Sequence, residues 1–233
     1  MPRLTVARRL ALLAVCALVY LPAPAAAADA WIVDAQRRLN ALHCHAGRAD
    51  GTIDAWTRSA VVRFQSRHGM AQTGRLAGPV RTRLHRADAR RCDLRPVPRH
   101  SGAGRRIVLS QAQNWVWLVG PKGGIVAQDG VVDLPSALGK GWHATGSYCG
   151  RAARIKRNTA TSGAVWLNNF VRFAPCGIGF HQIPTYMSNG RQIHPDWYLG
   201  TNFDVSHGCI RLSRAMSLRV WNFTARRTRV RVV

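Results

Sequence analysis

Between residues 32 and 42 the apolar positions Ile32, Val33, Ala35, Leu39, Ala41 and Leu42 recur at helical spacing, with Arg37 and Arg38 on the opposite face. A second periodic run starts at Asp54, a side chain suited to an N-cap, and continues through Ala60, Val61, Val62 and Phe64 to His68. Asp50-Gly51 marks the turn between the two, and Thr73-Gly74 precedes a third, shorter helix over about 78–84. The pattern predicts a small three-helix bundle. Residues 86–105 then carry Pro96, Pro98, Gly102, Gly104 and many arginines, the composition of a linker. From Arg106 the period changes. Short runs rich in β-branched and aromatic residues, over 107–109, 116–119, 124–127 and 165–173, are broken by Gly, Asn and Pro and predict strands. Pro121-Lys122-Gly123-Gly124 fits a hairpin turn, a helix is expected over 213–223, and 229–233 forms a last strand. The expected class is α+β: a three-helix N-terminal bundle followed by a mostly β, sandwich-like domain. The boundaries are 1–28 for a leader, 29–87 for the bundle, 88–104 for a basic linker and 105–233 for the β domain.

The leader sets the compartment. Arg3, Arg8 and Arg9 precede an apolar stretch over 10–21, then Pro22, Pro24 and alanines ending at Ala28. That stretch is about half of the roughly 20 residues needed to cross a bilayer, so it reads as a secretory signal peptide cleaved before Asp29. No later segment is long and apolar enough to span a membrane, and the expected location is secreted, in the cell envelope, either wall or periplasm. The 233 residues include 34 Lys plus Arg against 10 acids, a net charge of +24. All ten acids are aspartates, which excludes an HExxH metalloprotease and leaves a two-carboxylate glycosidase only Asp for both roles. Such a charge first suggests nucleic acid. Export removes that partner, and loss of the leader lowers +24 by three to +21, which suits an anionic wall polymer instead.

With Cys16 in the leader, five cysteines remain. One must stay unpaired. Connectivity is open at this level, but Cys44 with Cys92 lies within the N-terminal part and Cys149 with Cys176 within the C-terminal part, leaving Cys209. It sits in Val205-Ser206-His207-Gly208-Cys209-Ile210-Arg211-Leu212. A thiol needs a neighbouring imidazole, cation or N–H cluster to react at neutral pH, and Gly208 permits a tight turn that aims backbone N–H groups at an oxyanion. The plain alternative is a buried structural thiol. No histidine follows Cys209, so hydrolases in which Cys precedes His do not fit, and the base lies upstream: His181, His194 or His207. His207 with Cys209 lacks two further ligands at a recognisable spacing, so neither a metal nor an organic cofactor is expected.

Two resemblances sharpen this picture. Gln36, Leu39, Asn40, Asp50, Gly51, Thr57, Ala60, Val61, Phe64, Gln65, Gly69, Thr73 and Gly74 match the pattern of the helical peptidoglycan-binding module, with a departure at Ile53-Asp54-Ala55. "SHGCIRL" resembles the signature of the L,D-transpeptidase (YkuD-type) catalytic domain, and "FVRFAPCGIGFHQIP" is similar to the strand carrying that family's catalytic histidine. The resemblance implies Cys209 as nucleophile and His181 as base, with His194 the alternative, because 24 residues separate His181 from Ser206 and 11 separate His194 from it. The first gap is longer than the family's usual one and suggests an insertion over 186–196. Ser206, His207 and Gly208 are assigned to the oxyanion and to positioning, and Arg211 to a substrate carboxylate. The implied protein is a secreted peptidoglycan L,D-transpeptidase that forms a thioacyl-enzyme with release of D-Ala. Its partners are stem peptides and the glycan wall; an L,D-carboxypeptidase, a sortase or a non-catalytic wall-binding protein are the rivals.

Overall fold

The computed structural model describes residues 29–233, a helical part followed by a β-rich part. The leader expected over 1–28, with Cys16, lies outside the described residues, as does the side chain of Cys176.

Helices α1 (Ala30–Ala41), α2 (Ala55–Arg67) and α3 (Gly78–Leu84) form the first part. The Asp54 carboxylate accepts the Thr57 N–H at 2.8 Å and caps α2, an interaction of about 1 kcal/mol. Leu39 from α1, Val61 and Phe64 from α2, and Val80 and Leu84 from α3 meet in one buried cluster. The polar residues of the module's motif are consumed inside it. Gln36 donates to Thr57 Oγ1 and to the Thr52 carbonyl, both at 2.9 Å, and accepts from Gly51 N–H at 2.9 Å. Asn40 accepts from Ala46 N–H and donates to the Gly47 carbonyl, and Gln65 accepts from Gly74 N–H and donates to Thr73 Oγ1. These side chains fold the loops. The Cys44–Cys92 disulfide, as expected, closes a separation of 48 residues, a constraint of about 4 kcal/mol on the chain-entropy account.

The second part holds ten strands: β1 (Arg106–Ser110), β2 (Trp115–Val119), β3 (Ile125–Gly130), β4 (Gly141–Ala144), β5 (Arg154–Thr159), β6 (Val165–Arg172), β7 (Gly179–Gln182), β8 (Thr185–Tyr186), β9 (Ile210–Leu212) and β10 (Arg229–Val232). Helix α4 (Arg214–Phe223) lies between β9 and β10. One sheet has the order β3-β2-β1-β10-β4, the other β5-β6-β7-β9, with β8 added to β6. Ile107, Leu109, Val116, Leu118, Val230 and Val232 of the first sheet share a core with Val171, Phe180, Ile210 and Leu212 of the second and with Met216 and Val220 of α4. The two sheets and α4 therefore enclose one apolar interior, the sandwich-like arrangement anticipated from the strand pattern.

Strand alternation turns Val108, Trp115, Trp117 and Val119 to the other face of the first sheet, yet these are buried too. What covers them is residues 88–104 and the helical part. This stretch, expected as a linker, has neither helix nor strand, but Arg95 within it is 1 % exposed. Its guanidinium lies 4.0 Å from the Trp115 ring centroid and donates to the carbonyls of Cys92, Gln113 and Arg63 and to Ser66 Oγ. Trp117 Nε1–H donates to the Arg95 carbonyl at 2.9 Å. Arg63 of α2 bridges the seam: it donates to Cys44 O on its own side, and to Leu199 O at 3.0 Å and Trp197 O at 2.7 Å on the other. Burial lowers the pKa of Arg63 to about 10 and, with help from the Arg67 and Arg63 cations, that of Arg95 to about 9, so both stay charged at neutral pH.

Candidate active site

β7 and β9 run parallel, with Phe180 opposite Ile210 and His181 opposite Arg211. Phe180 and Ile210 point into the core. Side chains alternate along a strand, so His181 and Arg211 emerge on the opposite face, and Cys209, two residues before Arg211, emerges with them. The face opens into a cavity of about 600 Å³ lined by Cys209, His181, Ser206, His207, Arg211 and Arg172 among others. His194 does not line it.

Cys209 is free, and its thiol donates to the Gly177 carbonyl at 3.4 Å. Burial pushes the thiol pKa up, while the Gly179 N–H and the Arg172 and Arg211 cations act in the other direction. A Cβ on Gly179 would lie 2.6 Å from the Phe170 ring, so only glycine brings this backbone close to the thiol. His181, 2 % exposed, packs nearly parallel to Phe170 with centroids 6.1 Å apart. Its Nδ1–H donates to the Gln182 carbonyl at 2.6 Å, which leaves the lone pair on Nε2. Burial lowers its pKa to about 4, opposed by the Gln182 carbonyl and assisted by Arg211. Thiol and imidazole are therefore both neutral at pH 7. Such a pair acts by transferring the proton as the bond forms rather than as a preformed ion pair.

The turn before Cys209 is tied at both ends. Ser206 N–H donates to the Asp133 carbonyl at 3.1 Å, and Ser206 Oγ accepts the Gly208 N–H at 2.9 Å. Gly208 has φ +117°, a conformation that L side chains rarely adopt, and a Cβ there would lie 3.3 Å from Ala137 Cβ. The Gly208 N–H thus donates within the turn, and Ser206 and Gly208 shape the loop. His207 is exposed at the cavity wall. Arg211 is paired: its guanidinium donates to Asp204 Oδ2 at 2.7 Å, with the Arg211 side chain 6 % exposed.

Arg172 was not anticipated. It is 2 % exposed, its Nε–H donates to the Ala152 carbonyl at 3.2 Å, its guanidinium lies 5.0 Å from the Phe170 centroid, and one terminal nitrogen is buried with no hydrogen-bond partner. A single charge inside the apolar run 165–173 was the available signal. Arg151 lines the cavity as well, so three arginines and no acid face it. His194 has the same tautomer as His181, with Nδ1–H on the Pro195 carbonyl at 3.0 Å, but its Nε2 is buried without a partner. Cys149 is disulfide-bonded, and its expected partner Cys176 has a side chain outside the described residues. Among the described residues no group of three or more His, Cys, Asp or Glu is arranged to hold a metal ion.

Fold and site together define a helical module seated on a β sandwich that holds a buried free thiol and a neutral histidine in one arginine-lined cavity. Residues 138–232 match the family model "L,D-transpeptidase catalytic domain", and residues 30–79 match the model "Putative peptidoglycan binding domain". The chain thus carries a YkuD-type L,D-transpeptidase catalytic domain preceded by a peptidoglycan-binding domain. Similar solved structures include an L,D-transpeptidase from Xylanimonas cellulosilytica, 18 % identical over 87 % of this chain and 92 % of that one, TM-score 0.49. One from Stackebrandtia nassauensis is 18 % identical over 88 % and 91 %, TM-score 0.43. Another, from Mycobacterium smegmatis, is 16 % identical over 57 % and 59 %, TM-score 0.42. No curated protein matches the chain.

Proposed function

We propose that the protein is an exported peptidoglycan L,D-transpeptidase of the cell envelope. The observation that carries this reading is the free Cys209 in one cavity with His181, whose unprotonated Nε2 is the group a thiol needs as a base. Cys209 Sγ attacks the carbonyl of the third residue of a tetrapeptide stem while His181 Nε2 takes the thiol proton. The carbon–nitrogen bond to D-Ala breaks as His181 returns that proton to the departing amine, leaving a thioester on Cys209. The amine of a second stem then attacks the thioester, His181 takes its proton and delivers it to the sulfur, and an amide cross-link remains. Arg172 and Arg151 supply fixed positive charge for the carboxylates of the stem, a role in which Arg211 shares to the extent that Asp204 leaves it unneutralised. No step calls for a metal or organic cofactor. Domain limits of 29–87, 88–104 and 105–233 fit this reading, after a cleaved leader at 1–28.

The helical module and the +21 charge hold the enzyme at an anionic wall, so raising salt weakens retention on isolated walls. Incubation with tetrapeptide stems followed by mass spectrometry tests the reaction. Cross-linked dimer with release of D-Ala is expected from the native enzyme and from His194→Ala, and none from Cys209→Ala or His181→Ala. Tripeptide without dimer would establish the carboxypeptidase instead; no product at all, with Cys209 unacylated, would leave a wall-binding protein.

A further inference from the structure

A second cavity, of about 250 Å³, lies on the seam: Trp56, Arg63, His43 and His45 line it from the helical part, Asp93 from the stretch between, and Trp197 and Asp196 from the β-rich part. None of the motif side chains Gln36, Asn40, Gln65 and Thr73 is among its lining residues, since these are spent on the module's own loops. Trp56 is 42 % exposed, an unusual state for the largest apolar side chain. Its ring and that of Trp197 have centroids 6.4 Å apart and planes inclined by 51°, an open V. The Trp197 wall is fixed, because its carbonyl takes the Arg63 bond across the seam and its ring packs on Tyr198 at 4.3 Å.

The cavity is richer in acids than the rest of the molecule, with the Arg63 guanidinium also in its lining and Arg91 paired with Asp93 at 2.7 Å. Three of the chain's ten acids, Asp93, Asp129 and Asp196, line it. Asp129 receives one hydrogen bond on each oxygen, from Ser213 Oγ–H at 2.6 Å and Gly130 N–H at 2.8 Å, which leaves each oxygen a second lone pair. His43 and His45 both have left-handed backbones, φ 55° and 60°, at a cost of about 1–2 kcal/mol each, and the disulfided Cys44 between them pins the strained loop. With Arg63 already held by three carbonyls, such a wall disfavours an anion and is too polar for an apolar ligand. It suits a neutral molecule with apolar faces and many hydroxyl donors.

We propose that this seam cavity binds one ring of a glycan strand, an amino sugar stacked against Trp56 and Trp197 with its hydroxyls donating to the carboxylates of Asp93, Asp129 and Asp196. Aromatic rings offer area to the ring's C–H faces, and bonds to charged acceptors orient it. The site belongs to neither part alone. Strand β9 connects it with the first cavity: Cys209 and Arg211 line that one and Ser213 lines this one, four residues or about 13 Å along an extended strand. A peptide stem of three or four extended residues spans about the same distance, so a sugar held at the seam presents its own stem to the thiol. Only the choice of a wall sugar rests on the proposed transpeptidase reading; the cavity's chemistry does not.

The test is a titration of the full mature protein with a β-1,4-linked N-acetylglucosamine tetrasaccharide, read by tryptophan fluorescence and calorimetry. Native protein and Cys209→Ala are expected to bind alike, which separates this proposal from the fate of the reaction. Trp56→Ala should weaken binding roughly tenfold or more, Trp56→Phe should recover part of it, and Asp196→Asn should weaken it several-fold. Because Trp56 is 42 % exposed, its variants should keep the native urea midpoint, which separates lost binding from lost folding. Absence of binding at millimolar tetrasaccharide, equal binding by Trp56→Ala, or displacement by the stem peptide alone would each overturn the proposal.

Discussion

Arg211 donates to Asp204 at 2.7 Å, so the arginine of the SHGCIRL segment meets a carboxylate of its own chain at the cavity wall. Part of its charge effect on a substrate is cancelled in advance. In Asp204→Asn that cancellation is removed. Stability should fall by about 1 kcal/mol, since Asp204 is partly exposed and the pair partly screened, while KM for an anionic tetrapeptide falls. Urea melts and steady-state kinetics read the two effects separately; a KM that rises instead would make Asp204 a positioning residue for Arg211.

The nucleophile should be slow toward a simple electrophile at neutral pH. Burial holds the Cys209 thiol above the ordinary cysteine range, so alkylation by iodoacetamide should accelerate only as pH climbs past that range. Arg172 is one of the cations that favour the thiolate, and Arg172→Gln should therefore push the midpoint further up and slow alkylation at fixed pH by a factor of several. An unchanged pH profile would place the Arg172 charge outside the reach of the sulfur.

Asp133 is 4 % exposed, its Oδ2 has no hydrogen-bond partner, and burial raises its pKa to about 6 from 3.8. A carboxyl raised in the folded state holds its proton while the unfolded chain has already released it. Stability therefore declines as pH rises from about 4 to 6 and stays lower above that. Asp133→Asn removes the titration and should be more stable than the native protein by about 1–3 kcal/mol at pH 7.5, with the difference vanishing near pH 3. Paired urea melts at the two pH values decide it.

Arg95 fills the seam between the two parts. Truncation in Arg95→Ala strips bonds from the Cys92, Gln113 and Arg63 carbonyls and leaves a void, against the relief of one buried cation; a net loss of about 2–4 kcal/mol is expected. Proteolysis should then cut between residues 99 and 104 before either part unfolds. Arg95→Lys should recover little, because an ammonium cannot reach the same three carbonyls.

Much of this architecture was legible in the chain because its signals are local. Asp54 as a cap, the 3.6-residue period of α1 and the aromatic run of β2 act within a few residues, and each appears within one or two positions of its expected place. Strands β4, β5 and β9 were not anticipated. β9 is three residues long, β4 is Gly-Trp-His-Ala, and β5, Arg-Ile-Lys-Arg-Asn-Thr, lies at a sheet edge where polar side chains are tolerated, so none carries a period-two apolar signature. Cys209 was visible by the parity of the cysteines. Arg172 and Asp204 were not, because their proximity to Cys209 and Arg211 is created by strand pairing and a loop rather than by spacing. The 24 residues between His181 and Ser206 were visible as a length; that Trp197 and Leu199 within them receive Arg63 from the helical part required the fold.

The joint between the two parts is built from cations on carbonyl dipoles, with no carboxylate facing Arg63 or Arg95 across the hydrogen bonds they make. Dissolved ions compete with surface charges for one another but compete poorly for a guanidinium buried against main-chain oxygens. Salt that strips the protein from an anionic surface should therefore release it with its helical part still docked on the β-rich part, ready to bind again without reassembly.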